Sequence, residues 1–235
     1  MNSKMVHNYD GTFISFEGGE GSGKTTQIKL VNDYLMNHYN LEVIVTRQPG
    51  GTPLGSKIRS LLVGVSDDPP TPLAELFLYQ ADRAHHIETV IIPALSRGYF
   101  VLTDRYADSS EAYQGYAREL YLNTIRKLNQ LSTNGLYPDL TFYLDIKPEI
   151  GLERSLQREN SKNNKKEVRF EQEALNFHYK VRQGFLDIAR REPERVKIIN
   201  ANQPINEVFK DIRHYIDILI KEKYCTIRSA PQIRA

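Results

Sequence analysis

Eight residues near the N-terminus constrain this chain more than any other feature. Gly18-Gly19-Glu20-Gly21-Ser22-Gly23-Lys24-Thr25 fits the spacing G-x-x-x-x-G-K-[ST]. The segment before it, Thr12–Glu17 (TFISFE), reads as a short strand. The segment after it, Lys24–Tyr39, carries Ile28, Val31 and Leu35 at helical spacing. A glycine-rich turn between a strand and a helix start lets the backbone wrap, so that its N–H groups converge on phosphate oxygens. The helix start adds its dipole, Lys24 a mobile positive charge, and Thr25 a hydroxyl able to coordinate Mg²⁺. The motif predicts a cradle for a phosphate chain.

The rest of the chain continues the alternation. Further strands are expected at Glu42–Thr46, Tyr99–Asp104, Leu140–Asp145 and Val196–Ala201. Helices are expected at Leu54–Leu62, Leu73 to about Ile92 (bent or ended by Pro93), Tyr121–Leu131, Glu149–Arg158, Glu171–Arg190 and Ile205–Tyr224. Short apolar strands alternating with helices are the pattern of a parallel sheet covered on both faces. No repeat or domain-sized linker divides the 235 residues, so one domain over 1–235 is expected, with flexible ends at about 1–11 and 226–235. One stretch departs from the pattern: 158–169, RENSKNNKKEVR, is almost wholly polar and lies between two helices.

Composition narrows the class of partner. The chain is 40% hydrophobic and 26% charged, ordinary for a soluble globular protein. No apolar run approaches the ~18–20 residues of a membrane span. A net charge of +2 is too small for a nucleic-acid coat. The single cysteine, Cys225, excludes an internal disulfide framework, and Met1–Gly11 holds no apolar stretch of a secretory signal. A cytoplasmic protein is expected, with neither membrane nor nucleic acid as partner. His85 and His86 are adjacent on a helix and point apart, which reads as surface or hinge histidines rather than a metal site.

A phosphate cradle does not fix the reaction. A switch GTPase also needs a D-x-x-G turn and an N-K-x-D loop. Here Asp104 is followed by Arg105, Tyr106 and Ala107, and the nearest base-loop match, Asn164-Lys165-Lys166-Glu167, ends in Glu. A small phosphotransferase fits the length best. Arg47 follows the second strand, Arg83 lies late in the long helix, and Asp104-Arg105 end the third strand. Strand carboxyl ends are where open α/β sheets bind ligands. Arg47 and Arg105 are therefore candidates to clamp a second phosphate bidentately.

With these residues in view the chain resembles a known family. FEGGEGSGKTT, TRQPGGT, YQADR, DRYADSSEAYQG, PDLTFYLDIKPE and NANQP occur in the order found in thymidylate kinases, from about Thr12 to about Tyr224. The resemblance implies an α/β P-loop nucleoside monophosphate kinase fold: a five-stranded parallel sheet with helices on both faces. It implies ATP-dependent phosphorylation of dTMP to dTDP with Mg²⁺, in a homodimer. By matching position, Arg47 and Arg105 hold the dTMP phosphate, and Tyr79 stacks on thymine. Arg83, Ser110 and Gln114 hydrogen-bond the base, Glu20 faces the sugar 3′-hydroxyl, and Tyr113 crowds the 2′ position. Arg59 lies near the acceptor. Gly18 to Thr26 hold the ATP phosphates, Asn202, Gln203 and Pro204 line the adenine, and Thr25 and Asp104 stand on the metal side.

The sequence departs from the family pattern at three places. Gln48 stands where bacterial members usually carry Glu, Tyr79 where they carry Phe, and Val168 where an Asp precedes the lid arginine. The variable cradle positions Gly19, Glu20, Gly21 and Ser22 include no basic residue, so the transition-state cation must come from elsewhere. The polar run is its natural source. It reads as a mobile lid, with Arg158 and Arg169 as the expected cations and Arg154 in reserve. Two alternatives remain at this stage: another nucleoside monophosphate or deoxynucleoside kinase, and a nucleotide-dependent switch protein.

Overall fold

The computed structural model describes residues 7–64, 66–162, 169–171 and 173–229, with backbone alone at 158–162 and 224–229. Five strands, β1 (Thr12–Glu17), β2 (Val43–Arg47), β3 (Phe100–Asp104), β4 (Leu140–Asp145) and β5 (Val196–Asn200), form one sheet. Their order is β2-β3-β1-β4-β5, and every pair is parallel. Each lies within a residue of its expected bounds. β1 is central and buried along its length, whereas Val45 on the edge strand β2 is 50% exposed.

Alternate residues of the strands feed opposite faces. Ile14, Phe16, Leu102, Phe142 and Leu144 pack against Ile28, Val31 and Leu35 of α1 (Lys24–Tyr39) and Ile212, Ile216 and Ile220 of α9 (Ile205–Ser229). Phe13 and Val101 point the other way, onto Ile87, Ile91 and Leu95. Tyr143 meets Val181 and Phe185 of α8 (Leu175–Arg191) on that same side. The near-continuous apolar strands follow from burial on both faces.

Several helices differ from expectation. α2 (Pro53–Val63) and α6 (Leu122–Thr133) lie close to it. Pro93 does not end the long helix: α3 (Pro72–His86) widens into a π turn at Ile87–Ile91 and continues as α4 (Ile92–Ser96). Proline lacks an N–H to close an ordinary helical turn. The wider turn, with Ile92 N–H donating to Ile87 O, admits it in the first turn of α4. A second helical stretch, α5 (Ala107–Ser110) continuing as a π-helix over Glu111–Ala117, is absent from the sequence reading. It buries Asp108, Ser110, Glu111 and Gln114 with few apolar residues, so it carries no hydrophobic period to detect.

The described residues next to the ends make defined contacts. His7 Nε2 lies 3.1 Å from Asp139 Oδ2, Gly11 N–H donates to Leu95 O at 2.8 Å, and α9 runs on to Ser229. α7 (Pro148–Lys162) extends past Arg158 into the polar run. The Cys225 and Arg158 side chains, residues 163–168 with Lys165 and Lys166, and residues 1–6 and 230–235 lie outside the described set.

Candidate active site

The cradle occupies the turn after β1. Gly18, Gly21 and Gly23 have φ of 145°, 65° and 91°, where a side chain would be strained. A Cβ on Gly21 would also run into the carbonyl oxygen of Gly151, because the first turn of α7 presses against the loop. Lys24 is not an exposed arm. It is 8% exposed, and its Nζ donates to Gly18 O at 3.1 Å, Gly19 O at 2.9 Å and Ser22 Oγ at 3.3 Å. Burial, followed by the nearby Arg105 charge, pulls this ammonium down to about 8. Thr25 Oγ1 donates to Asp104 Oδ2 at 3.2 Å, bringing the two expected metal-side oxygens together at the mouth.

Parallel register builds the acceptor side. Arg47 pairs with Asp104 across β2–β3, and Asp104 with Phe16 across β3–β1, so these strand ends share one edge with the cradle. Arg105 turns the chain there in a left-handed conformation, φ 70°. Such strain costs about 1–3 kcal/mol for a residue other than glycine. Glu17 holds the turn: its Oε1 accepts from Tyr106 N–H at 2.7 Å, and its Oε2 from Ser109 Oγ at 2.6 Å. Burial and the neighbouring Asp108 push the Glu17 carboxyl up to about 7.

The Arg105 guanidinium donates to Ser109 Oγ (3.2 Å), Glu20 Oε1 (3.1 Å) and Tyr113 OH (2.9 Å), and lies 4.8 Å from the Tyr113 ring centre. Tyr113 OH donates to the same Glu20 oxygen at 2.7 Å, while His178 Nδ1 stands 3.3 Å from Glu20 Oε2. Burial alone would raise Glu20; His178, Arg105 and Lys24 outweigh it and hold the carboxyl at about 2. Glu20 is therefore a fixed anion.

A cavity of about 410 Å³ joins the two halves. It is lined from Glu20 to Thr26 on the cradle side and by Arg47, Arg59, Tyr79, Arg83, Asp104, Arg105, Ser110, Tyr113 and Gln114 opposite. Arg59 Nη1 donates to Pro49 O at 3.3 Å. Arg83 is 1% exposed, and all five of its N–H groups have partners. Nε donates to Gln48 Oε1, Nη1 to Gln80 Oε1 and Asn129 Oδ1, and Nη2 to Tyr106 O and Ser110 Oγ, all within 3.0–3.1 Å. Gln114 Nε2 donates to the fully buried Glu75 at 2.8 Å.

A model of one protein family, described as thymidylate kinase, matches residues 16–212. This chain belongs to the thymidylate kinase family. It is 48% identical over 198 residues to the thymidylate kinase of Desulfosudis oleivorans, covering 83% of this chain and 92% of that one. It is 44% identical over 207 residues to that of Clostridium novyi, covering 88% and 98%. The crystal structure of thymidylate kinase from Ehrlichia chaffeensis is similar with a TM-score of 0.70 at 34% identity, over 88% of this chain and 98% of that one.

Some expected residues stand apart from the cavity. Asn202, Gln203 and Pro204 follow β5 on the same sheet edge, where Arg154 Nη1 reaches Ala201 O at 3.1 Å and Gln27 of α1 donates to Ile205 O at 3.0 Å. The Arg158 side chain lies outside the described residues. Arg169 departs from the lid expectation: it pairs with Glu75 Oε2 at 2.8 Å and donates to Leu62 O at 2.8 Å, behind the acceptor wall. Buried Glu75, also paired with Arg118 at 3.3 Å, outcompetes solvent for this guanidinium. Glu17, Glu75 and His178 were missed in the sequence, because no motif marks them. His86 corrects the surface reading, for it is fully buried.

Proposed function

We propose that the family's reaction, phosphoryl transfer from ATP to dTMP giving dTDP, runs across this one cavity. The observation that carries the proposal is the joining of a phosphate cradle to Arg47 and Arg105 at one sheet edge. ATP places its phosphates on the backbone of Gly18 to Thr26 with Lys24, and its adenine by Asn202 to Pro204. The dTMP phosphate sits between Arg47 and Arg105, with Arg59 beside it. Thymine lies on Tyr79 and is read by Arg83, Ser110 and Gln114. The sugar 3′-hydroxyl meets Glu20, and Tyr113 fills the space a 2′-hydroxyl would need.

Little covalent chemistry is asked of the protein. A phosphate monoester has its second pKa near ~6, so the acceptor is already mostly dianionic at neutral pH and needs no strong general base. The residues position two anions and neutralise charge on the transferring group. Thr25 and Asp104 fit a magnesium ion, since two oxygen donors converge beside the phosphate cradle. When bound, the ion would neutralise phosphate charge.

The exposed Leu54 and Leu61 of α2, with Leu73 and Phe77 of α3, support pairing of two copies through this face. Among the described residues no helix is long and apolar enough to cross a membrane. A panel of monophosphates with ATP, reading ADP release with and without Mg²⁺, tests the reaction; preference for any base other than thymine refutes it. Sedimentation of the chain and of Phe77→Glu tests the dimer.

A further inference from the structure

Gln48 and His86 have no role in the reaction described above, yet both are buried: Gln48 lines the cavity, and His86 stands directly behind it. Gln48 is 4% exposed and His86 fully buried. Gln48 Oε1 accepts from Arg83 Nε at 3.1 Å, Gln48 Nε2 lies 3.0 Å from His86 Nδ1, and His86 Nε2 lies 2.7 Å from Thr46 Oγ1. The three contacts tie the end of β2, the following loop and α3 to the guanidinium that faces the base.

Donor and acceptor chemistry fixes their direction. A guanidinium only donates, so the Gln48 oxygen must face Arg83. The Gln48 NH₂ then faces His86, whose Nδ1 must be a bare acceptor. The proton of a neutral imidazole therefore sits on Nε2 and is donated to Thr46 Oγ1. A proton on Nδ1 would set donor against donor; turning the amide over would set its NH₂ against Arg83. We propose that His86, as the neutral Nε2–H tautomer, is a positioning residue that locks the Gln48 amide and through it aims Arg83 at the base. Burial, with the nearby His85 and Arg83, holds the imidazole down to about 4, in keeping with the neutral form.

The chemistry also accounts for Gln48 in place of the usual Glu. A carboxylate accepts from both sides, so it would draw the ring proton onto Nδ1 and, having two equivalent oxygens, would have no orientation for His86 to lock. An amide makes the orientation of Arg83 depend on His86. All five Arg83 N–H groups are taken in this structure, so meeting the base requires Arg83 to release the Nη2 contact to Ser110 Oγ; because it only donates, it then favours a base with a carbonyl oxygen at position 4, as in thymine, over one with an amino group there, as in cytosine. This rests on the assignment of Arg83 to the base.

Two measurements test it. Nitrogen-15 NMR of the histidine rings in the whole protein at pH 7 is expected to show His86 protonated at Nε2 alone; the Nδ1–H tautomer or an imidazolium would overturn the proposal. Gln48→Glu is expected to move that proton onto Nδ1. The second readout is the ratio of kcat/KM for dTMP over dCMP, which is independent of how much enzyme is folded. His86→Leu is expected to lower the ratio about tenfold by leaving the amide unanchored. His86→Asn, which keeps an acceptor near Nδ1, restores most of it. If His86→Leu does not fold, Gln48→Met reports the same loss. An unchanged ratio in the folded variant overturns the positioning role. An unchanged ratio in Arg83→Lys overturns the base assignment itself, and the NMR tautomer separates the two failures.

Discussion

Lys24→Met is expected to inactivate the enzyme and stabilise the unliganded protein. The side chain is buried with three neutral acceptors for its charge, Gly18 O, Gly19 O and Ser22 Oγ. A fall from the ordinary 10.5 to about 8, caused first by burial and then by Arg105, measures how far the folded chain disfavours the ammonium. At 1.36 kcal/mol per pKa step this is about 3 kcal/mol. At pH 7 the lysine is charged in both folded and unfolded chains, so the folded state bears that cost in full. Between about 8 and 10.5 the unfolded chain keeps the proton while the folded chain releases it, so wild-type stability rises with pH through this window. Methionine has similar length and no charge. Urea unfolding at pH 7 without nucleotide should place Lys24→Met above wild type by about 1–3 kcal/mol, with the rise between pH 8 and 10 removed. Turnover should fall at least ~10²-fold, because a contact that tightens in the transition state is lost. A variant less stable than wild type would refute the electrostatic argument. Near-normal turnover would refute the cradle assignment.

Arg47→Ala should raise the KM for dTMP by about 10- to 100-fold, the loss of one charge-assisted contact, while titration of ATP alone shows nearly unchanged affinity. Arg169→Ala should lower stability by about 1–3 kcal/mol and raise the KM for dTMP through Glu75 and Gln114; a selective loss of kcat in single-turnover assays would restore the transition-state role first expected of it. Glu17→Gln should flatten stability between pH 4.5 and 7. The wild-type carboxyl, pushed up to about 7 by burial and Asp108, binds a proton in the folded chain before the unfolded one, so wild-type stability rises as pH falls through that window. Urea midpoints at pH 5 and 7.5 measure it.

The strands were legible because each is a short apolar run, the inner three buried on both faces, and β4 matches its expected bounds Leu140–Asp145. The cradle was legible because glycine spacing reports a backbone need directly. Arg47 and Arg105 were legible as strand-end residues, since parallel register puts such ends on one edge. What escaped depends on long-range polar partners. Glu75 gathers Gln114, Arg118 and Arg169 from sequence distances of 39 to about 94 residues, which no local pattern encodes. The π segment Glu111–Ala117 escaped because it has no long apolar stripe: of its buried residues only Ala112 and Tyr113 pack on the apolar face of α8, beside the buried polar Glu111 and Gln114. There Gly184 lets the helices approach so closely that a Cβ would lie 2.9 Å from Ala112 Cα.

The cations of the site are held by different kinds of placeholder, and this decides what each substrate must displace. Lys24 rests on neutral carbonyls, which compensate a full charge poorly, as its lowered pKa shows. A polyphosphate that takes over this ammonium exchanges partial charges for full ones and relieves the cost of burial. Arg105 instead already faces a full anion, Glu20, whose carboxyl is held at about 2 by His178, Arg105 and Lys24 against the effect of burial. An incoming monophosphate cannot gain by replacing Glu20 outright, because that would strand a buried carboxylate. On the proposed assignment it would gain by sharing Arg105, using N–H groups now given to Ser109 Oγ and Tyr113 OH, and by recruiting exposed Arg47. On that assignment the donor side is driven by relief of an uncompensated charge, and the acceptor side by addition to a compensated one. Lys24→Met should accordingly weaken ATP far more than dTMP, and Arg47→Ala the reverse. Equal losses on both sides in either variant would mean that the two charge systems are not separable in this way.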